Sequence, residues 1–269
     1  MSNLKSTQWL LENINLPELI ILDASQDDTA TDDSSKSDVE VIPGAQKFDL
    51  KNNFSDTSSP FPNTFPSEEK FECEARKLGI NSNSIIVIYD NKGIYTSPRA
   101  WWMFKSFGHE NVYVLDGGLT SYAEKGEKLS TKYLTKKSGN FKAKLKHGCV
   151  RSFEEIKTIS ENKSELIIDA RSKQRFNSEV KEPRKGLRSG NIPTSINLPH
   201  TEVKNGAYLK SKTELTDIFN ELNIESYPLV FTCGSGVTAC ILRLAFMEVS
   251  SKESTIYDGS WTEWGTLVN

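Results

Sequence analysis

The stretch YPLVFTCGSGVTACILRLAF, Tyr227 to Phe246, joins two patterns. Its opening, PLVFT, is a short apolar and β-branched run bounded by proline, the composition of a strand buried on both faces. Its close, TACILRLAF, spaces apolar residues as a packed helix does. Between them lie one thiol, two glycines and a hydroxyl, CGSG at 233–236. A strand that turns directly into a helix is the building block of an α/β sheet. Ligands of open α/β sheets bind beyond the carboxyl ends of the strands, and Cys233 stands at that point. Gly234 and Gly236 permit backbone conformations closed to other residues, so successive N–H groups can turn toward the sulfur. Those donors and the positive end of the following helix favour an anion, lower the thiol's pKa and raise its thiolate fraction. Ser235 and Thr238 add hydroxyl donors.

The same succession of blocks occurs twice. LIILDAS (19–25), VIPGAQKFDL (41–50), IIVIYDNKGIYTSPRAWWMF (85–104) and VYVLDGGLTSYAEKG (112–126) are followed by LIIDARS (166–172), NIPTSINLPH (191–200), LVFTCGSGVTACILRLAF (229–246) and STIYDGSWTEWG (254–265). Asp23 matches Asp169, Pro43 matches Pro193, Asp90 matches Cys233 and Asp116 matches Asp258, at offsets between 142 and 150 residues. A repeat of this length marks two similar domains. The expected boundaries are 1–127 for the first, a Lys-rich linker at 128–147, and 148–269 for the second. Each domain is expected to be a mostly parallel sheet flanked by helices. Asp90 in place of the thiol makes the first copy the degenerate one. DDTATDDSSKSDVE (27–40), acidic and serine-rich, reads as a surface loop after the first strand.

Composition narrows the class further. The chain has 269 residues, 36% of them hydrophobic, enough for packed cores in two domains of ordinary size. Its 33 Lys and Arg nearly balance 36 Asp and Glu, so nothing points to nucleic acid or a membrane surface. No apolar run approaches the roughly 20 residues of a membrane span. The first residues carry no secretion or transit pattern, which gives a cytoplasmic expectation. The four cysteines (73, 149, 233, 240) and three histidines (109, 147, 200) have neither CxxC pairing nor metal-ligand spacing. Neither a metal nor a cofactor is expected, and a reducing compartment fits a chain whose chemistry rests on a thiol.

CGSGVTA (233–239), flanked by DARSKQRF (169–176) and YDGSWTEW (257–264), resembles the catalytic half of the two-domain rhodanese family, and within it the members that use mercaptopyruvate. STQWLLENI (6–14), LDAS (22–25), IPGA (42–45) and VIYDNKGIYTSPRAWWMFKSFGHENVYVLDGG (87–118) extend the likeness over nearly the whole chain. The resemblance implies a sulfurtransferase in which Cys233 takes sulfur from 3-mercaptopyruvate as a persulfide and passes it to thioredoxin, a small thiol or cyanide. It implies catalytic roles for Cys233 and Ser235. It implies substrate binding by Arg175, Arg184, Gly234, Gly236, Val237 and Thr238. Thiosulfate-using relatives carry cationic residues directly after the cysteine; here those places hold Gly234 and Ser235. A thiosulfate donor is the alternative.

Arg171 follows the strand-end Asp169 and reads as a structural ion-pair partner. Asp258, Trp261 and Trp264 read as turn and packing residues, Cys240 as core, and His109 and His200 as loop residues without a chemical part. A phosphatase loop needs an arginine six residues after its cysteine; that place is Ala239, and the next arginine is Arg243. Family members selective for mercaptopyruvate often carry an aspartate and a histidine that reach the loop serine as a proton relay. Here Lys51 and Asn63 fall in those places, so Ser235 is expected to lack its usual base.

Overall fold

A computed structural model describes residues 2–26, 40–222, 224 and 227–268; most of the acidic 27–40 segment lies outside them. Contacts divide the chain into two units. In the first, β1 (Leu4–Lys5), β2 (Leu19–Asp23), β3 (Ala45–Lys47), β4 (Ile85–Tyr89) and β5 (Val112–Leu115) form a sheet in the order β1-β5-β4-β2-β3. All of its strand pairings are parallel. Helices α1 (Thr7–Asn13), α2 (Glu68–Lys77), α3 (Ser97–Ser106) and α4 (Gly118–Glu124) flank it.

In the second unit, β6 (Val150–Arg151), β7 (Leu166–Asp169), β8 (Ile196–Asn197), β11 (Leu229–Thr232) and β12 (Ser254–Tyr257) follow the order β6-β12-β11-β7-β8, again parallel. Strands β9 (Lys204–Asn205) and β10 (Tyr208–Leu209) make a separate two-stranded ladder. The helices are α5 (Phe153–Asn162), α6 (Lys173–Phe176), α7 (Lys212–Glu221), α8 (Ala239–Met247) and α9 (Ser260–Leu267). Position for position the two sheets have one topology, the architecture the repeat announced.

The strands read as continuous apolar runs because helices cover both faces. Every residue of β2 and β11 is buried, as are four of the five in β4. Helix α8 begins at Ala239, with Thr238 as its N-cap, and buries seven of its nine residues, Cys240 among them. All four cysteines are free thiols; Cys73 is exposed, Cys149 half-buried, and Cys233 and Cys240 buried. His109 lies in a loop but is 4% exposed, its ring against Phe104 and Phe141 and Nε2 2.8 Å from Ser84 O.

The division departs from a plain halving in three places, one of them Gly206–Tyr208, a stretch of the second half that belongs to the first unit. Residues 55–65 come from the first half of the sequence but belong to the second unit. The connecting stretch, up to Leu145, belongs to the first, where its backbone supplies what its polar composition concealed. Leu134 N donates to Ala45 O, Gly139 N to Arg76 O, Phe141 N to Ile80 O and Lys144 N to Phe107 O. A Cβ on Gly139 would stand 2.0 Å from Ile80 O, so only glycine permits that approach. Among the described residues no helix is long and apolar enough to cross a membrane.

Candidate functional site

Cys233 directly follows β11, whose last residue Thr232 pairs with Asp169 of β7. The thiol is completely buried. What holds the loop is α9. Trp261 N donates to Cys233 O (2.9 Å), Thr262 N donates to Gly234 O (3.0 Å), and Thr262 Oγ1 also reaches Gly234 O. Gly236 O accepts from Cys240 Sγ (3.3 Å). In a trans peptide the N–H that follows a carbonyl points the opposite way. With the carbonyls of 233, 234 and 236 turned to α9 and α8, the N–H groups of Gly234, Ser235 and Val237 are directed away from those helices.

Two other amides correct the expectation that the whole loop turns its donors to the sulfur. Cys233 N (3.2 Å) and Gly236 N (3.1 Å) both donate to Ser260 Oγ, which lies 3.9 Å from Cys233 Sγ. The reason is the backbone of α9: Ser260 takes a φ of +53°, which swings its hydroxyl under the loop, while its own hydrogen goes to Tyr257 O (2.9 Å). Gly236, at φ +76°, completes the turn in a region that favours glycine. A non-glycine residue at positive φ carries strain, and the hydroxyl explains its presence. Replacing Ser260 with alanine leaves two buried amides without their acceptor. The expected cost is about 1–3 kcal/mol, measurable as a lowered urea midpoint, with slower reaction at Cys233 because the loop is no longer pinned.

The first copy of the repeat carries a carboxylate at the same place in its loop. Asp90, fully buried at the place equivalent to Cys233, accepts at Oδ2 from Tyr95 N (2.9 Å), Thr96 N (3.0 Å), Ser97 N (2.9 Å) and Ser97 Oγ (2.7 Å). Its Oδ1 accepts from Lys92 N (2.9 Å). The anchor is also repeated: Leu119 N donates to Asp90 O (3.1 Å), and Gly118, at the Ser260 position, has φ +54°. The same strand-loop-helix backbone thus wraps an anion whose oxygens lie two bonds beyond Cβ. The outer sulfur of a cysteine persulfide also lies two bonds beyond Cβ.

Two arginines face this loop, and a residue the sequence did not single out holds one of them. Arg175, on the short helix α6, donates from Nη2 (2.6 Å) and Nε (3.3 Å) to Glu182. A Cβ on Gly234 would stand 2.9 Å from Arg175 Nη2, so the bare glycine is what admits the guanidinium. Arg184, an exposed residue, reaches Thr262 Oγ1 with Nη1 (2.6 Å), which ties it to the same loop carbonyl. Partial burial of its guanidinium, and then the charge of Arg175, push the Arg184 pKa below its ordinary value. Glu182 is 8% exposed and also binds Arg171 (3.0 Å), which is paired in turn with Asp169 (2.7 Å). Arg171 lies over Trp261, ring centroid 4.6 Å away, and so joins the ion network to the packing beneath the loop. Arg171, Arg175 and Arg184 thus gather near two buried carboxylates, Asp169 and Glu182.

Above the loop, Asn63 Nδ2 donates to Ser235 Oγ (3.2 Å) and lies 3.4 Å from Ser235 O. Its neighbours are fixed: Asp56 N donates to Thr64 O (2.8 Å), and Phe65 N donates to Asp258 Oδ2 (2.7 Å). Asp258 is therefore more than a turn residue, since it holds the segment that carries Asn63. Ser235 and Thr238 are half-buried, and Val237 is 8% exposed.

Comparison with known proteins follows this geometry closely. The rhodanese-like domain model matches residues 6–125 and again 152–267. A 3-mercaptopyruvate sulfurtransferase of Escherichia coli strain K12 is 37% identical over 266 residues, covering 97% of this chain and 94% of that protein. The Arabidopsis thaliana protein named thiosulfate/3-mercaptopyruvate sulfurtransferase 1, mitochondrial, is 37% identical over 286 residues, 97% of this chain and 75% of its own. The crystal structure of SseA from Escherichia coli, described as having the rhodanese fold and as a 3-mercaptopyruvate sulfurtransferase, superposes with a TM-score of 0.87 at 34% identity, covering 97% of this chain and 99% of that one.

Proposed function

The chain belongs to the rhodanese-like family, and from that premise we propose that it moves sulfur from 3-mercaptopyruvate to a thiol or cyanide through a persulfide on Cys233. The Cys233 thiolate attacks the thiol sulfur of the donor, and the bond between that sulfur and C3 breaks. Its electron pair remains on C3 as the enolate of pyruvate. A proton, in the net balance the one the donor's thiol carried, completes pyruvate, and the enzyme keeps Cys–S–S⁻. A thiolate or cyanide then takes the outer sulfur and restores the Cys233 thiolate. One difficult transfer becomes two displacements at sulfur.

The observation that carries this reading is the Asp90 loop. In the first copy four backbone N–H groups and the Ser97 hydroxyl surround an anion two bonds beyond Cβ. Three of those N–H groups have counterparts in the Cys233 loop, Ser235 matching Lys92, Thr238 matching Tyr95 and Ala239 matching Thr96, while Cys240, in the place of Ser97, donates its N–H to Val237 O (3.2 Å). Donors already in position for a charge that develops during reaction cost nothing to reorganise. Ser235 and Thr238 supply hydroxyls for the departing enolate.

Charge selects the donor. A guanidinium pair set beside the loop, with no cation directly after the cysteine, suits a monocarboxylate, while thiosulfate brings two negative charges. Gly234 leaves room for Arg175, whose Nη2 lies 2.9 Å from where a Cβ would stand. Arg175 and Arg184 thus supply the guanidinium pair for the donor's carboxylate and carbonyl, the fork geometry suited to that task. Arg175→Met is expected to raise KM for mercaptopyruvate about tenfold to a hundredfold, with a much smaller effect on kcat. We place the acceptor among thioredoxin-like proteins and small thiols and the chain in the cytoplasm, a reading its four free thiols support.

The test is a paired assay on one preparation. Pyruvate release from mercaptopyruvate is expected to exceed thiocyanate formation from thiosulfate, and Ser235→Ala to slow the first more than the second. The reverse order would make thiosulfate the donor.

A further inference from the structure

The two residues that follow Asn63 are tied down, Thr64 O by Asp56 N and Phe65 N by Asp258 Oδ2, and the φ of Asn63 itself is +58°, a region Asn enters more readily than most residues. The carbonyl of Ser235 can only accept a hydrogen bond, so the group of Asn63 that faces it, 3.4 Å away, is the amide nitrogen. That same nitrogen is 3.2 Å from Ser235 Oγ, so the hydroxyl accepts there too. A hydroxyl that accepts from one side keeps its single hydrogen for another. Resting on the mercaptopyruvate reading, we propose that Asn63 is a positioning residue that fixes the polarity of Ser235: it occupies the oxygen's acceptor face and thereby presents the Ser235 hydrogen to the oxygen of the departing pyruvate enolate.

Ser235 then needs no base. It works as an oriented donor, polarised through an amide that does not titrate, and the proton that completes pyruvate comes from the donor's own thiol or from water. The hydrogen bond strengthens as charge develops on the enolate, so its contribution falls on kcat rather than KM. The residue type at position 63 sets how the enzyme treats carbonyl-bearing donors. A donor that releases an inorganic anion, such as thiosulfate, gains nothing from it.

Asp and Ala at position 63 separate this role from simple anchoring. Aspartate has the shape of asparagine and tolerates the same φ, but as a carboxylate it can only accept. It would draw the Ser235 hydrogen to itself and away from substrate. Alanine merely frees the hydroxyl to rotate. The expected order of kcat with mercaptopyruvate is wild type, then Asn63→Ala, a few-fold lower, then Asn63→Asp, lower by about 10²-fold. Thiosulfate turnover at saturation should change no more than about twofold to threefold in either variant, and thermal midpoints confirm that both fold. In a Ser235→Ala background the Asn63→Asp effect should vanish, because the hydrogen it misdirects is gone. An Asn63→Asp enzyme as fast as Asn63→Ala, or one whose loss persists without the Ser235 hydroxyl, would overturn the inference. Wild-type protein that releases no pyruvate from mercaptopyruvate would instead remove the reading beneath it.

Discussion

Cys233→Ser protein is expected to fold normally and to lose both pyruvate release and thiocyanate formation by at least about 10³-fold. The substitution changes one atom in a completely buried side chain and leaves every backbone contact of the loop in place, from Trp261 N on Cys233 O to Ser260 Oγ on Cys233 N. What it removes is the nucleophilic sulfur, the element that can carry a second sulfur. A serine hydroxyl stays protonated, and no sulfur–sulfur bond can form on it. The other thiols do not substitute: Cys240 is buried on α8 with Sγ bound to Gly236 O, and Cys73 and Cys149 lie outside the loop. Residual turnover at a tenth of the wild-type rate would place the chemistry elsewhere.

Arg171→Met is expected to give the largest loss of stability, about 3–5 kcal/mol. Arg171 is the common partner of Asp169 and Glu182, and all three side chains are at most 1% exposed. Removal of the guanidinium leaves two carboxylates buried near each other, with Glu182 still paired to Arg175. Desolvation without compensation costs more than the pair gained by forming, which is why the loss of one partner is so much worse than replacement of the whole network. The Gly190 carbonyl loses its partner as well, and Trp261 loses one of the two guanidinium groups over its ring. Urea unfolding followed by tryptophan fluorescence reads the change directly. The same variant should weaken mercaptopyruvate binding, because Glu182 is the link through which Arg171 steadies Arg175. A midpoint within measurement error of wild type would show that the network is not what holds β7 to the loop.

Much of the fold was legible in the sequence because strands buried on both faces leave little choice of residue. IIVIY and LVFT read as strands, and the repeat around Asp90 and Cys233 sets the order of elements. The cysteine loop was legible for the same reason, since strand, Gly-containing turn and helix are contiguous. Arg175 and Arg184 came from motif, Arg171 from its neighbour Asp169. Contacts between distant segments were hidden. Glu182 sits in SEVKEPRK, a charged run that reads as solvated surface, and only the tertiary fold buries it between two arginines. Ser260, in YDGSW, carries no sign that its hydroxyl crosses beneath a loop 27 residues earlier. Position 63 was marked as one that should meet Ser235, but which end of the amide faces the hydroxyl is decided by a carbonyl 172 residues away. The membership of residues 55–65 in the second unit is likewise a matter of long-range pairing.

The most direct test of the account is the mass of the protein after brief exposure to mercaptopyruvate and removal of small molecules, followed by peptide mapping without reductant. The account predicts a gain of one sulfur atom, confined to the peptide that contains Cys233 and discharged by cyanide. No gain, or a gain carried by Cys73, Cys149 or Cys240 with Cys233 unmodified, would contradict it.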